Sequence, residues 1–219
     1  MPALTWDNVG ERLYETGVDH GVLYQIDDTG AYTDGVAWNG LTTLTESPSG
    51  AESNKQFADN TVYVNLISAE EFGGTIEAFT YPEEFGQNDG SAEPAPGVQV
   101  GQQGRRPFGL VYRSLQGNDT DGQDHGYRLH LIYGAQASPS EKAYASVNDS
   151  PEAISFSWDF STTPMSVTGH KPTSLLTIDS TVVDPAKLKA LEDMLFGSAT
   201  DEPHLPSPDE VIELFETGP

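Results

Sequence analysis

Large apolar residues alternate with serine or aspartate between Ile154 and Ser161. Successive side chains of a β-strand point to opposite faces, so this alternation predicts a strand with one face in a core and the other in water or a polar lumen. A similar pattern runs from Tyr127 to Tyr133. Because a two-residue period does not suit a helix, these segments constrain the fold more than any other feature of the chain.

Six more apolar runs, with turn residues between them, predict further strands. They cover residues 21–26, 36–44, 62–68, 75–81, 108–115 and 175–179. The 22 glycines and 15 prolines of the chain are spread between such runs, which favours strands and turns over long helices. We therefore predict a mainly β fold, an antiparallel sandwich or barrel, formed by residues 1–198 as one domain.

Two helices are expected towards the end of the sequence. Asp184 provides an N-cap for the first helix, apolar residues follow at helical spacing, and Gly197 ends it. The second helix begins at a capping box formed by Ser207 and Glu210. Residues 199–219 are therefore interpreted as a proline-containing linker and a short helix. A helix this short needs a surface to dock on, supplied by its own domain or by a neighbouring subunit.

Three segments without a clear pattern are expected to be long loops. They cover residues 47–60, 82–105 and 116–125. Loops of this length inside a compact domain usually have a function or are disordered.

The sequence lacks the residue constellations of a metal site or an active site. Its five histidines show no metal-ligand spacing, and cysteine is absent. Residues 119–124 loosely resemble a calcium loop, but Gly122 comes too early and His130 stands where a bidentate glutamate is needed. The acid pairs at residues 70–71 and 83–84 could be imagined as glycosidase carboxylates, although adjacent acids are more often solvated. We predict no catalytic residues, no metal and no cofactor.

Acidic residues outnumber basic ones by 34 to 10, which gives a formal net charge of −24. Phosphate backbones are bound by clustered lysine and arginine, so this balance argues against binding nucleic acid or an anionic membrane. Two explanations stay open: a generic acidic surface, and a surface that must stay near DNA without adhering to it. No signal peptide and no apolar run of roughly 20 residues is visible, so we expect assembly in a cytoplasm without membrane insertion.

Seven stretches, spread over most of the chain, resemble segments of one known protein family in the same order. They cover residues 21–24, 35–41, 46–52, 74–85, 171–174, 191–197 and 205–211. Together they resemble the major tail proteins, or tail tube proteins, of siphophages, which are long-tailed bacteriophages. None of the stretches is a catalytic signature, so their specificity lies in their joint occurrence. Phe196-Gly197 departs from the Tyr-Gly pair expected in the family.

The resemblance implies a β-sandwich-like subunit flanked by a helix. Six copies would close a ring, and their inner sheets would join into one β-barrel around an electronegative channel. Rings would stack into a tail tube that conducts phage DNA to the host without binding it specifically. The implied partners are further copies of the chain, a tape measure protein and a tail terminator, and the implied location is the virion. Identifying the acids that line the lumen requires one residue known to point inward, which the sequence does not supply.

Three segments are expected to contact neighbouring subunits: an N-terminal arm over residues 1–13, the loop at 47–60, and the C-terminal segment. They lack the apolar periodicity of segments that pack in the core of their own chain. They nevertheless contain apolar anchors of the kind that often carries interface energy. The candidate contact residues are Trp6, Leu13, Phe57, Val211, Leu214 and Phe215.

The alternative function is a β-sandwich binding module, either carbohydrate-binding or a capsid decoration protein. Such a module would expose aromatic residues on one groove or face, and it would stay monomeric or form small oligomers. An enzyme is the third hypothesis, for example a glycosidase that uses Glu83 and Glu84, although the sequence suggests no substrate.

Overall fold

A computed structural model describes residues 3–147, 149–150 and 152–216. The strands within these ranges are β1 (Tyr14–Ile26), β2 (Tyr32–Trp38), β3 (Leu41–Glu46), β4 (Ser49–Gly50), β5 (Ser53–Ala58), β6 (Thr61–Ile67), β7 (Glu70–Glu71), β8 (Gly73–Ala78), β9 (Ala92–Ala95), β10 (Val98–Val100), β11 (Phe108–Asn118), β12 (Gly122–Ala137), β13 (Phe156–Thr162) and β14 (Leu175–Asp179). The α-helices are α1 (Gly86–Asp89), α2 (Pro185–Phe196) and α3 (Pro208–Glu216), and a 3-10 helix, Glu83–Phe85, precedes α1. The predicted mainly β, antiparallel fold is confirmed.

The principal sheet folds over on itself at β12. Its strand order is β2-β1-β11-β12-β13-β8-β3, and β14 pairs with β12 beside that path. Residues 128–132 of β12 pair with β14, whereas residues 135–137 pair with β13. Gly134 lies between these pairings with φ +61°, and a Cβ there would lie 2.3 Å from the carbonyl oxygen of Thr163. This bend therefore requires glycine.

The fold has three layers. We call β2-β1-β11-β12-β14 the central sheet and β13-β8-β3 the outer sheet. One face of the central sheet packs against α2 and α3 through a core that includes Tyr24, Leu131 and Leu191. The opposite face packs against the outer sheet through a second core that includes Ile132 and Trp158. Leu131 and Ile132 belong to different cores because adjacent strand residues point to opposite faces.

Both C-terminal helices begin where the sequence predicts. The carboxylate of Asp184 accepts hydrogen bonds from two backbone N–H groups of α2. At α3, the Ser207 N–H donates to the Glu210 carboxylate at 2.8 Å, and the Glu210 N–H donates back to the Ser207 hydroxyl at 3.4 Å. α3 docks on the same chain, where Val211 is only 3% exposed.

The prediction of three long loops is wrong. Residues 47–60 contain β4 and β5, and residues 82–105 contain α1 and the β9–β10 hairpin. Residues 116–125 contain the end of β11, a tight turn at residues 119–121 and the start of β12. The prediction of one strand over residues 36–44 is also wrong, because the chain turns at Asn39 and Gly40 between β2 and β3. Strands β5 and β9 are exposed on both faces, so they lack the apolar alternation that reveals a half-buried strand.

Candidate functional site

Strands β5 and β6 form a two-stranded arm, residues 53–67, that contributes no residue to either hydrophobic core. The two strands pair with each other, and β4 pairs with β7 at the base of the arm. Asp59 and Asn60 form the connecting turn with φ values of +52° and +63°, as a type I′ hairpin requires. All residues of β6 are exposed. Because a lone hairpin is marginally stable in water, the arm is suited to binding a partner.

One face of the arm is largely apolar. Strand pairing places Phe57 opposite Val62, and Val64 and Leu66 follow on the same face because side chains alternate along β6. Gln56 and Asn54, which pair with Val64 and Leu66, add two amide side chains to this face. The four apolar residues are 69%, 50%, 41% and 54% exposed, in that order. A contiguous apolar face on the surface of a highly charged protein indicates an interaction site.

The segment before β1 also exposes apolar side chains. It is tethered at Gly10, whose N–H donates to the Asp119 carboxylate at 2.9 Å. Trp6, Val9 and Leu13 are 76%, 81% and 65% exposed. Trp6 and Leu13, like Phe57 on the arm, are therefore left outside the core of their own subunit and are available to a partner.

The candidate contact residues of α3 are placed differently. Val211 is buried in the core beneath the helix, so its side chain presents almost no surface to a second subunit. Leu214 and Phe215 are partly buried against the same core. Phe215 also lines an apolar groove of about 450 Å³ between α3 and β14, together with Leu176 and Val182.

The outer sheet has one apolar face and one polar face. Its inward residues include Ile76 and Trp158, which are fully buried. The residues that alternate with them on the other face are threonine, serine, glycine or acidic: Thr43, Thr45, Gly73, Thr75, Glu77, Ser157, Asp159 and Ser161. β3, β8 and β13 contain no lysine or arginine. We call this surface the polar face.

Both sides of the outer sheet have unpaired strand edges. β3 pairs with β8 alone, and β13 reaches β12 only through residues 160–162. Among the residues that the structure describes, no further strand pairs with β3 or with the first half of β13. The β13 edge is covered at Asp159, because the Ser138 N–H donates to the Asp159 carbonyl oxygen at 2.7 Å and the Asp159 N–H donates to the Ser140 hydroxyl at 3.4 Å. Open edges of this kind can pair with another chain.

A polar network joins β3 to the central sheet. His130 Nδ1 lies 3.2 Å from Glu46 Oε1, and His130 Nε2 lies 2.9 Å from Ser114 Oγ. Tyr112 donates to the same Glu46 oxygen at 2.5 Å and stacks on the His130 ring. The proximity of His130 lowers the pKa of Glu46, and burial raises the pKa of Tyr112.

The contacts link a serine, a histidine and an acid in the order found in the catalytic triad of a hydrolase: Ser114, His130 and Glu46. Their position in the fold differs from that of a triad. A triad needs backbone or side-chain donors aimed at a reacting carbonyl. Ser114 lies in the middle of β11, opposite Arg128 of β12, within a continuous sheet rather than on an exposed turn. The network therefore serves to connect the two sheets.

The other sequence candidates for chemistry lie apart from one another. Glu83 and Glu84 are exposed on the 3-10 helix, whereas residues 70–71 form β7 at the base of the arm. Residues 119–124 include the turn between β11 and β12, in which the Asn118 side-chain oxygen accepts a hydrogen bond from the Thr120 N–H at 3.0 Å. Within the described ranges, no cluster of three or more His, Asp or Glu side chains could hold a metal ion. The helices in those ranges are all too short or too polar to cross a membrane.

The arm is the feature that the sequence prediction missed. The dipeptide Asp59-Asn60 could have revealed it, because both residues tolerate the left-handed conformation of a tight hairpin turn. β6 was predicted as a strand, but without its partner β5 it gave no indication of an isolated two-stranded arm.

No protein-family model matches the chain, and no curated protein matches its sequence.

Proposed function

We propose that this protein is a self-assembling structural subunit, the tail tube protein of a siphophage-type bacteriophage. The observation that carries the proposal is the arm, whose apolar face is exposed and makes no contribution to the core of its own subunit. A folded protein that presents such a face needs a partner surface of matching character. The resemblance of the sequence to siphophage major tail proteins supports other copies of the chain as that partner.

The outer sheet supports closure into a ring. Its two unpaired edges, on β3 and on the first half of β13, lie on opposite sides, so one copy can offer one edge and its neighbour the other. A head-to-tail contact that closes by rotation gives a ring, and pairing of the edges removes a site of uncontrolled aggregation. The family resemblance implies six copies in each ring.

Stacking of rings would use the arm and the N-terminal segment. Phe57 on the arm and Trp6 before β1 are both more than two-thirds exposed, and large aromatic side chains often carry interface energy. The resulting tube would conduct phage DNA in the virion, with a tape measure protein and a tail terminator as further partners. The acidic chain repels phosphate, so DNA would move through the tube without being bound.

A carbohydrate-binding or capsid decoration module is less well supported. Such a module gathers aromatic side chains on one groove or face. Here the most exposed aromatic residues lie on three separate segments: Trp6 before β1, Tyr63 on the arm, and Tyr144 between β12 and β13.

Sedimentation velocity of the purified chain over a range of protein and salt concentrations tests the proposal. We expect a concentration-dependent shift from single chains to rings and stacks, and we expect salt to promote it, because salt screens repulsion between copies of net charge −24. A single chain that binds glycans and never associates would instead support a binding module.

A further inference from the structure

We infer that the polar face of the outer sheet is the wall of the channel, and that Glu77 and Asp159 are acids that face the DNA. This inference rests on the proposed function. The layers of the fold leave few sheet surfaces from which a barrel could be built.

The central sheet cannot form the wall, because both of its faces are covered. Leu131 lies in the core beneath the helices, and Ile132 lies in the core beneath the outer sheet. The outer sheet has a free face, and its edges are unpaired along β3 and at the start of β13. A sheet that continues from copy to copy needs both of these properties, and within the described part of the chain the outer sheet combines them.

The free face points inward in a closed ring for a steric reason. The central sheet and the helix layer lie behind the other face of the outer sheet. Around a ring, more room is available at a larger radius than near the axis. The bulk of each copy therefore lies outside, and the polar face lines the interior.

The chemistry of the polar face fits a polyanionic duplex that must pass without binding. The face consists of short hydroxyl side chains and two carboxylates, without lysine or arginine. The Thr75 hydroxyl donates to Asp159 Oδ1 at 2.7 Å, which holds that carboxylate on the face. Fixed negative charge at this position repels phosphates within roughly a Debye length, about 8–10 Å at physiological salt. The surface of α2 differs, since Lys189 there pairs with Asp193.

Cysteine accessibility tests the position of the face, because the natural chain contains no cysteine. Ser157→Cys places a thiol on the polar face, and Ala186→Cys places one on the exposed surface of α2 as the matched control. Each variant is treated, before and after assembly, with a small maleimide and with a maleimide carried on a large polyethylene glycol. Reaction of both unassembled variants with both reagents verifies that each thiol is exposed in the free subunit.

In the assembled protein we expect Ser157→Cys to react with the small reagent and to be shielded from the large one by at least tenfold in rate. Ala186→Cys should react with both. Equal reaction of the two sites with the large reagent overturns the inference while leaving a self-assembling subunit intact. Loss of reaction of Ser157→Cys with both reagents also overturns it, because the face would then be buried in a contact. Failure of the unsubstituted chain to assemble overturns the proposed function itself, and this inference with it.

Charge reversal provides an independent readout. In assembled protein, the double substitution Glu77→Lys and Asp159→Lys should increase the retention of short duplex DNA at least tenfold in co-sedimentation, with loss at high salt. Asp28→Lys with Glu202→Lys makes the same change in net charge at exposed positions away from the polar face. Equal retention of DNA by the two double variants would contradict the assignment of the wall.

Discussion

The apolar face of the arm should control assembly without stabilising the free subunit. Replacing Phe57, Val62, Val64 and Leu66 by threonine removes this face but keeps residues that suit a strand. Their exposed fractions of 69%, 50%, 41% and 54% together amount to about two complete side chains that assembly can bury. At about 1.5–3 kcal/mol for each buried side chain, the substitutions should remove about 4 kcal/mol of association free energy per arm. That energy corresponds to roughly a thousandfold weaker association.

The assay is the protein concentration at which particles larger than one chain appear, followed by light scattering and sedimentation. The fourfold variant should require about a thousandfold higher concentration, whereas the Tm of its unassembled form should shift by only a few degrees, because the replaced side chains are exposed. The control variant, Asn54→Thr with Gln56→Thr, alters polar side chains on the same face of the arm without removing apolar surface and should assemble normally. Unchanged assembly of the fourfold variant would refute the assignment of the arm as a contact surface.

Three further predictions concern the subunit itself. Tyr112→Phe removes the hydrogen bond to Glu46, and chemical denaturation should show a loss of about 1–2 kcal/mol; no loss would show that this network does not hold the sheets together. Burial acts to raise the pKa of Asp179, but hydrogen bonds from Thr181 and other donors lower it to about 2. Because the folded-state pKa is below the usual 3.8, this carboxylate stabilises the fold above about pH 4 and loses that effect as the pH falls towards 2. Asp179→Asn should therefore flatten the pH dependence of the unfolding free energy in that window by about 1 kcal/mol, allowing for solvent screening, and an unaltered pH profile would contradict the role of this group. Trp158→Ala should cost about 3–5 kcal/mol in denaturant unfolding, whereas Phe79→Ala at an exposed position should cost under about 0.5 kcal/mol; equal costs would contradict the placement of the second core.

The parts of the fold that the sequence predicts well are those determined by local patterns. β13 has apolar residues on one face and polar residues on the other, so alternation alone reveals it. The start of α2 follows from Asp184, whose capping bonds need only neighbouring backbone groups. β14 begins and ends at the predicted residues, Leu175 and Asp179.

The parts that the sequence could not predict depend on distant contacts or on exposure. The fold of the sheet at Gly134 requires a close approach of Thr163, which no local pattern shows. The polar network between Glu46 and His130 joins residues that are 84 positions apart. The acids of the polar face could be identified only after strand pairing showed that Asp159 lies opposite Thr75, on the side away from the core.

Electron microscopy of the purified protein, viewed end-on at raised protein and salt concentration, would show directly whether the chain assembles into a tube. We predict closed rings of identical copies with a central hole, and stacks of such rings in side view. Particles that remain single chains under every condition, or filaments without a channel, would contradict this prediction.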